Sequence, residues 1–405
     1  MSFISRIIPS KKILVVDIWT YKVKVALCEY KNWEINLLSI AEKKQEASDI
    51  IWSEIANIEW VSNTVSQAIS KAIKDHNFNP KDIIINIPTS TIVSCWEKIN
   101  YSRDKKNEEI DVNELDYIIW KVEKKALDLA KKEITKKTWF YDVDMKLITS
   151  SITDIMIDDL KVSNPMWFTW SNVNISTINI FIPSSRYNII NTISNYLSKN
   201  ILSIIPLEFS IPKLLRNSEY AYDDVLFIDI WNTKTSVIIQ KKWVIIGFDR
   251  IEIWINDLIK NIKQKEKTTT IQIINTIDDN EKYLEEKQQF LSVWEAWLII
   301  SMKEILWNNI NIPNNVFLTG WWDNNFLRNH IKNINLNEHM LHSVKPLDFI
   351  DIDFKNDLWI SWDINDLNKT NLWILSMILS AKDIVDTKNN QVFQILKNFL
   401  EKNEI

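Results

Sequence analysis

The stretches KILVVDIWTYK at 12–22 and VLFIDIWNTKT at 225–235 follow one pattern: a buried apolar run, an aspartate, an isoleucine, a tryptophan, a polar turn and the start of a second strand. Apolar runs bounded by turn residues predict central strands, and their recurrence about 210 residues apart is an internal duplication. The tryptophan is out of place, because tight turns take glycine, which alone reaches positive φ without a steric cost. The whole chain repeats the anomaly. It carries 20 Trp and 2 Gly in 405 residues, where a globular protein has about 7% Gly. The two types together make about 5% of the chain, close to an ordinary glycine content. Further tryptophans stand at turn positions in KNWEI (31–35) and QKKWVI (240–245). Most of these tryptophans therefore read as cryptic glycines, encoded by UGA in a bacterium that translates it as Gly and written out as Trp. The alternative is a protein that is Trp-rich in fact. Residues keep their printed names below.

A chain of this length exceeds one compact core, so two or more lobes are expected. Hydrophobic content of 46% and charged content of 25% suit a globular fold. A net charge of −5 supplies no basic footprint for nucleic acid, and Lys131, Lys132, Lys136 and Lys137 read as a solvated helix face. Cys28 and Cys95 lack metal-ligand spacing and read as small buried hydrophobes in a reducing compartment. The four histidines form no zinc motif. The longest apolar stretch, near 372–381, is too short to span a bilayer, and no signal peptide is recognisable at the start. The expected location is the cytoplasm or the inner face of the membrane.

Strands are predicted at 12–18, 22–30, 34–41, 82–88, 146–158, 173–182, 225–230 and 316–319. Helices are predicted near 60–77, within the charged segment 103–135, near 186–200 and near 291–307, with a polar helical stretch at 258–290.

Two strand–Asp–turn hairpins and a later strand ending in a glycine cluster are what a nucleotide held by two duplicated lobes requires. Glycines let backbone N–H groups approach phosphates, hydroxyls add donors, and two aspartates hold a magnesium ion through water. With glycine at Trp19, Trp231, Trp321 and Trp322, residues 17–22 become DIGTYK, 229–235 DIGNTKT and 318–323 LTGGGD. The binding residues are then Asp17, Trp19, Thr20, Lys22, Asp229, Trp231, Asn232, Thr233, Thr235, Gly320, Trp321, Trp322 and Asp323, with Asp17 and Asp229 on magnesium. The alternative is that the aspartates only cap turns after core strands. In this order and spacing the motifs resemble the phosphate-1, phosphate-2 and adenosine motifs of the actin/sugar-kinase ATPase superfamily.

Within that superfamily, NPMWFTW at 164–170, which becomes NPMGFTG, resembles the signature of the subdomain inserted in the bacterial cell-division family FtsA. IANIEWV at 55–61 and KTNLWILSMILSA at 369–381 resemble further stretches of that family. The family's Ala-Glu-x-x-Lys element is not recognisable at 258–290. Asn232 and Thr233 replace common glycines, and Glu208 departs from the usual Pro-Leu-Ala.

The resemblance implies an α/β, actin-like ATPase fold: two duplicated lobes with mixed five-stranded sheets, plus an inserted FtsA-type (SHS2) subdomain. The expected boundaries are 1–85 and 183–222 for lobe 1, with a return at 363–385; 86–182 for the insert; 223–257 and 307–362 for lobe 2; 258–306 for its small subdomain; and 386–405 for a spacer and terminal helix. In that helix Val392, Phe393, Ile395, Leu396, Phe399 and Leu400 form an apolar face. Periodicity alone allows a helix docked on its own protein, whereas the resemblance implies a membrane-targeting one. It also implies ATP and Mg²⁺ as ligands, with ATP acting mainly on conformation and weak hydrolysis at most. The implied partners are FtsZ, further copies of the chain in an actin-like polymer, later division proteins through the insert, and the inner membrane surface at the division site. Two rivals share the fold: PilM of type IV pilus assembly, and a metabolic kinase.

Overall fold

The structure, a computed structural model, describes residues 10–385 except 32–33, 47, 52–53, 87–89, 105, 142, 163–164, 166–168, 170, 232–233, 243, 252, 254, 280, 307–310, 321–324, 339–344, 355, 363–366 and 368. The chain divides into two compact units. Unit 1 comprises residues 1–213 and 359–405, and unit 2 comprises 214–358.

The first segment of unit 1 opens with β1 (Lys11–Ile18), β2 (Lys22–Lys31) and β3 (Glu34–Lys44), then the short pair β4 (Ile50–Ile51) and β5 (Glu54–Ile55), α1 (Ile58–Ile73) and β6 (Asp82–Asn86). Strands β7 (Val93–Ser102), β8 (Met145–Ile157), β9 (Leu160–Lys161) and β10 (Asn172–Pro183) follow, with α2 (Val112–Thr138) between β7 and β8. The segment closes with α3 (Ser184–Leu197), β11 (Asn200–Ile204) and α4 (Leu207–Ser210). Unit 2 contains β12 (Val225–Ile230), β13 (Thr235–Lys241), β14 (Val244–Ile251), α5 (Ile255–Glu266), α6 (Thr270–Thr276), α7 (Leu284–Leu306), β15 (Asn315–Gly320), α8 (Asn325–Asn333) and β16 (Asp348–Phe349). The chain then returns to unit 1 with β17 (Ile360–Trp362) and α9 (Leu372–Val385).

Each unit is built on a mixed sheet. In unit 1 the order is β11-β6-β1-β2-β3-β17, and in unit 2 it is β14-β13-β12-β15-β16. The expectation of five strands holds in unit 2 but not in unit 1. There β17 adds a sixth by running parallel to β3, Ile360 beside Ile35 and Trp362 beside Leu37. The chain crosses into unit 2 at Leu214 and returns to unit 1 at Trp359, just before β17. The central strands are buried on both faces: Ile13 to Val16 and Leu226 to Ile228 are wholly inaccessible, which explains their continuous apolar runs. α9 is buried on every side from Leu372 to Ala381 for the same reason, with Ile374, Leu375, Met377 and Ile378 fully buried and its serines hydrogen-bonded inside.

Strands β7, β10, β8 and β9 form a separate antiparallel sheet on which α2 packs, so the insert runs one strand, a helix, then three strands, of which β9 is only two residues long. α2 starts at Asp111, whose side chain accepts from the Glu114 N–H at 2.8 Å, as an N-cap should. Under the helix lie two apolar clusters, one around Ile118, Ile119, Ile157 and Ile175 and one around Ala126, Ala130, Ile134 and Phe181. Between them in sequence and register stand the buried Glu123 of α2 and Thr177 and Asn179 of β10, with the half-buried Ser150 of β8 donating to Asn179 at 2.7 Å. Burial pushes the Glu123 carboxyl up to about 8; the Ser150 hydroxyl opposes this and Asp116 adds to it.

A carboxyl whose folded pKa lies above its unfolded value holds more protons in the folded state, so stability falls as pH rises through that window. Unfolding free energy should therefore drop by about 2 kcal/mol between pH 6 and 8 on account of this group. Glu123→Gln should flatten that part of a urea-denaturation profile. A profile equally steep in the variant would refute the assignment.

Candidate functional site

In unit 1, Asp17 is the next-to-last residue of β1 and fully buried. Its neighbours in the sheet are Lys24 of β2 and Asn86 of β6. Asn86 Nδ2 donates to Asp17 Oδ1 at 3.0 Å, and Trp19 Nε1 donates to Asp17 Oδ2 at 2.6 Å. The hairpin closes with the Trp19 N–H on the Lys22 carbonyl at 3.0 Å. Gln45 holds the loop from outside, its side-chain amide donating to the Trp19 carbonyl and its N–H to the Tyr21 carbonyl. Lys22, a predicted site residue, pairs with Glu42 at 2.7 Å, and this bond lowers the Glu42 pKa. Thr20 is half-buried in the loop.

In unit 2 the same geometry recurs. Asp229 is buried next to the end of β12, between Ser236 of β13 and Thr319 of β15. Trp231 Nε1 donates to Asp229 Oδ2 at 2.6 Å, and the Trp231 N–H closes the turn on the Lys234 carbonyl at 2.9 Å. The buried Thr235 hydroxyl accepts from Trp294 Nε1 at 3.1 Å. Gly320 ends β15 with φ of +111°, and a Cβ there would lie 2.1 Å from the Ile230 carbonyl oxygen. Only glycine fits that backbone. Asn232, Thr233, Trp321, Trp322 and Asp323 lie outside the described residues. So do the six apolar residues of the terminal segment and most of NPMWFTW, of which Pro165 and Thr169 are described.

Sequence reasoning missed three groups in the first hairpin. Asn86 shows in the sequence only as a polar residue ending an apolar run, with nothing to say that the parallel pairing of β6 brings it to Asp17. Gln45 carries no signal until the fold brings it to the loop. Lys24 is buried, and burial foremost pushes its pKa down to about 8, with Lys22 lowering it further and Asp17 opposing. Its ammonium donates to the Thr370 carbonyl and, at 3.3 Å, to Asn371 Oδ1, just before α9. Its counterpart in unit 2 is the neutral Ser236.

In each unit a buried carboxylate at a strand end is a donor that suits a hydrated magnesium, and in unit 1 the loop after it offers backbone amides that suit phosphate oxygens. The printed indoles do not suit it, since each occupies one carboxylate oxygen.

Two duplicated units, each with a mixed sheet and an aspartate hairpin on its central strand, define the actin-like ATPase fold. No family model matches the chain, and no curated protein matches it in sequence. Among solved structures, the chain is similar to a PilM–PilN type IV pilus biogenesis complex at 10% identity and a TM-score of 0.61, covering 93% of this chain and 99% of that one. A diol dehydratase-reactivating factor in nucleotide-free form matches at 8% identity and 0.46, over 92% and 100% of the two chains. The ethanolamine utilization protein EutJ from Carboxydothermus hydrogenoformans matches at 11% identity and 0.43, over 92% and 89%.

Proposed function

We propose that this chain is an ATP- and Mg²⁺-binding scaffold of the actin fold whose nucleotide sets its assembly, with Asp17 and Asp229 on the hydrated metal. The observation that carries this reading is the repeated hairpin, identical in register and in the turn bond from the N–H of residue 19 or 231 to the carbonyl three residues on. Bound magnesium supplies charge neutralisation of the phosphates; the loops after β1 and β12 supply N–H donors.

The reading needs glycine at 19 and 231, which would remove the indole from Oδ2 of each carboxylate. Two features of other tryptophans support that substitution. Trp139 ends α2 at φ 61°, ψ 10°, its N–H on the Thr135 carbonyl, the left-handed C-terminal position that glycine dominates. Trp60, Trp96, Trp120, Trp139, Trp297 and Trp359 are 42–85% exposed, whereas tryptophan is a highly buried residue on average. Peptide mass spectrometry of the natural protein should give glycine masses at 19, 139 and 231; indole masses would sink this part.

In the glycine-restored protein, Asp17→Ala or Asp229→Ala should weaken Mg·ATP binding at least about tenfold with circular dichroism unchanged. Calorimetric affinities equal to the parent's in both variants would remove the site.

The finer reading is a cell-division tether of the FtsA type: it joins FtsZ filaments to the inner membrane through the terminal helix, polymerises, and recruits later division proteins through the insert. The NPMGFTG-like signature and the insert's order of one long strand, a helix and two further long strands, with the two-residue β9 between them, support it. A second reading, a PilM-type pilus component, is favoured by the match over nearly the full length of both chains. Co-sedimentation with FtsZ and vesicles, run beside a pull-down with PilN, separates the two. A metabolic kinase has no specific observation in its favour.

A further inference from the structure

The far end of α2 carries a feature that neither the nucleotide site nor the insert's packing uses. Trp139, Phe140 and Tyr141 are 85%, 70% and 82% exposed, three consecutive aromatic side chains standing off the surface. The left-handed residue 139 reverses the chain there, and Phe140 and Tyr141 form the tip whether residue 139 is Trp or Gly. The last turns of the helix present Lys131, Lys132 and Lys136 to solvent. Of the nearby acids, Glu133 is paired with Lys136 at 3.5 Å, and Asp144 accepts from the Ser184 hydroxyl.

We propose that this tip is a lipid-contacting surface that inserts Phe140 and Tyr141 into the headgroup region of an anionic bilayer, with the α2 lysines on the phosphates. Aromatic rings favour the boundary between water and hydrocarbon, and each nearby lysine adds attraction to anionic lipid. The geometry favours lipid over a protein partner. Phe140 and Tyr141 together expose about 300 Å² at roughly 150–250 Å² per ring, below the roughly 800 Å² per partner of a stable protein interface. A bilayer sets no such minimum, and a protruding tip enters it without a matching groove. The inference goes beyond the nucleotide reading and does not depend on the terminal helix. In a membrane-tethered polymer it would add a second weak contact per subunit, where linked contacts multiply affinity.

The test uses the full chain carrying Tyr141→Cys labelled with an environment-sensitive dye, since the native Cys28 and Cys95 are both buried. At saturating lipid, phosphatidylcholine vesicles containing phosphatidylglycerol should shift the emission to the blue, pure phosphatidylcholine should not, and the same dye at Leu160→Cys should stay unshifted. Lys132→Gln with Lys136→Gln should raise the lipid concentration for half-maximal shift roughly threefold to tenfold. No shift at 141, an equal shift on neutral lipid, an equal shift at 160, or a shift produced only by added protein would overturn the proposal. Truncation after Lys388 tests the terminal helix separately, through loss of vesicle pelleting, so the two ideas fail independently.

Discussion

Gly320→Ala should destabilise unit 2 by about 4 kcal/mol, backbone strain and steric overlap each contributing about 1–3 kcal/mol. The methyl would sit 2.1 Å from the Ile230 carbonyl oxygen and 2.5 Å from its nitrogen. These are backbone atoms of the central strand, so relief requires β12 and β15 to part where Ile230 and Gly320 pair. Thermal or urea unfolding of the variant against the parent measures the loss, and a loss under about 1 kcal/mol would show that the strand end adopts another backbone. The Asp229 hairpin shares that strand end, so nucleotide binding should weaken with stability. Gly247→Ala is the control: its methyl would meet only the Ile305 side chain, at 2.9 Å, and should cost far less.

Glu114→Ala should cost the insert about 3–5 kcal/mol, the range for stripping the partner from a buried charge. Arg103 is 1% exposed. Its Nε and Nη2 each donate to a Glu114 oxygen at 2.7 Å, and Nη1 donates to the Glu108 carbonyl at 2.9 Å. The bond to Glu114 raises the arginine's pKa further, so it cannot shed its charge to escape burial. Removing Glu114 strips the buried guanidinium of its two-pronged carboxylate and leaves the charge in place. Replacing both residues with Leu should restore much of the loss, because a buried charge stripped of its carboxylate costs more than the missing bond. A double variant as unstable as the single one would contradict this account.

The duplication was legible because its carriers are local. A buried strand, an aspartate and a turn are written in consecutive residues, and Asp17 and Asp229 occupy equivalent places in their sheets. What joins the hairpins to the rest was not legible. Asn86 reaches Asp17 only because β6 runs parallel to β1, and Lys24 finds Thr370 across 346 residues of chain. The sixth strand escaped notice since Ile360–Trp362 is three residues long, too short to show a period. α7 begins at Leu284 rather than near 291 because its first turns are polar, with Glu285, Glu286 and Lys287 hiding the apolar stripe that Phe290, Trp294 and Leu298 continue. Glu123 looked like one more charge on a solvated helix; only the sheet beneath reveals it as buried.

Unit 1 is sewn shut by the last described part of the chain. Strand β17 extends its sheet, the Tyr30 hydroxyl donates to the Ile378 carbonyl at 2.8 Å, and Ser210 meets Ser376 at 2.8 Å inside the core. Unit 2 is one uninterrupted stretch of sequence. During synthesis from the N-terminus, residues 214–358 can therefore finish folding on the ribosome, while the earlier unit waits with the bed of α9 open and its apolar floor wet. A stalled or truncated product lacking residues beyond about 358 would pair a mature second unit with an unclosed first one, a species disposed to stick to chaperones and to itself.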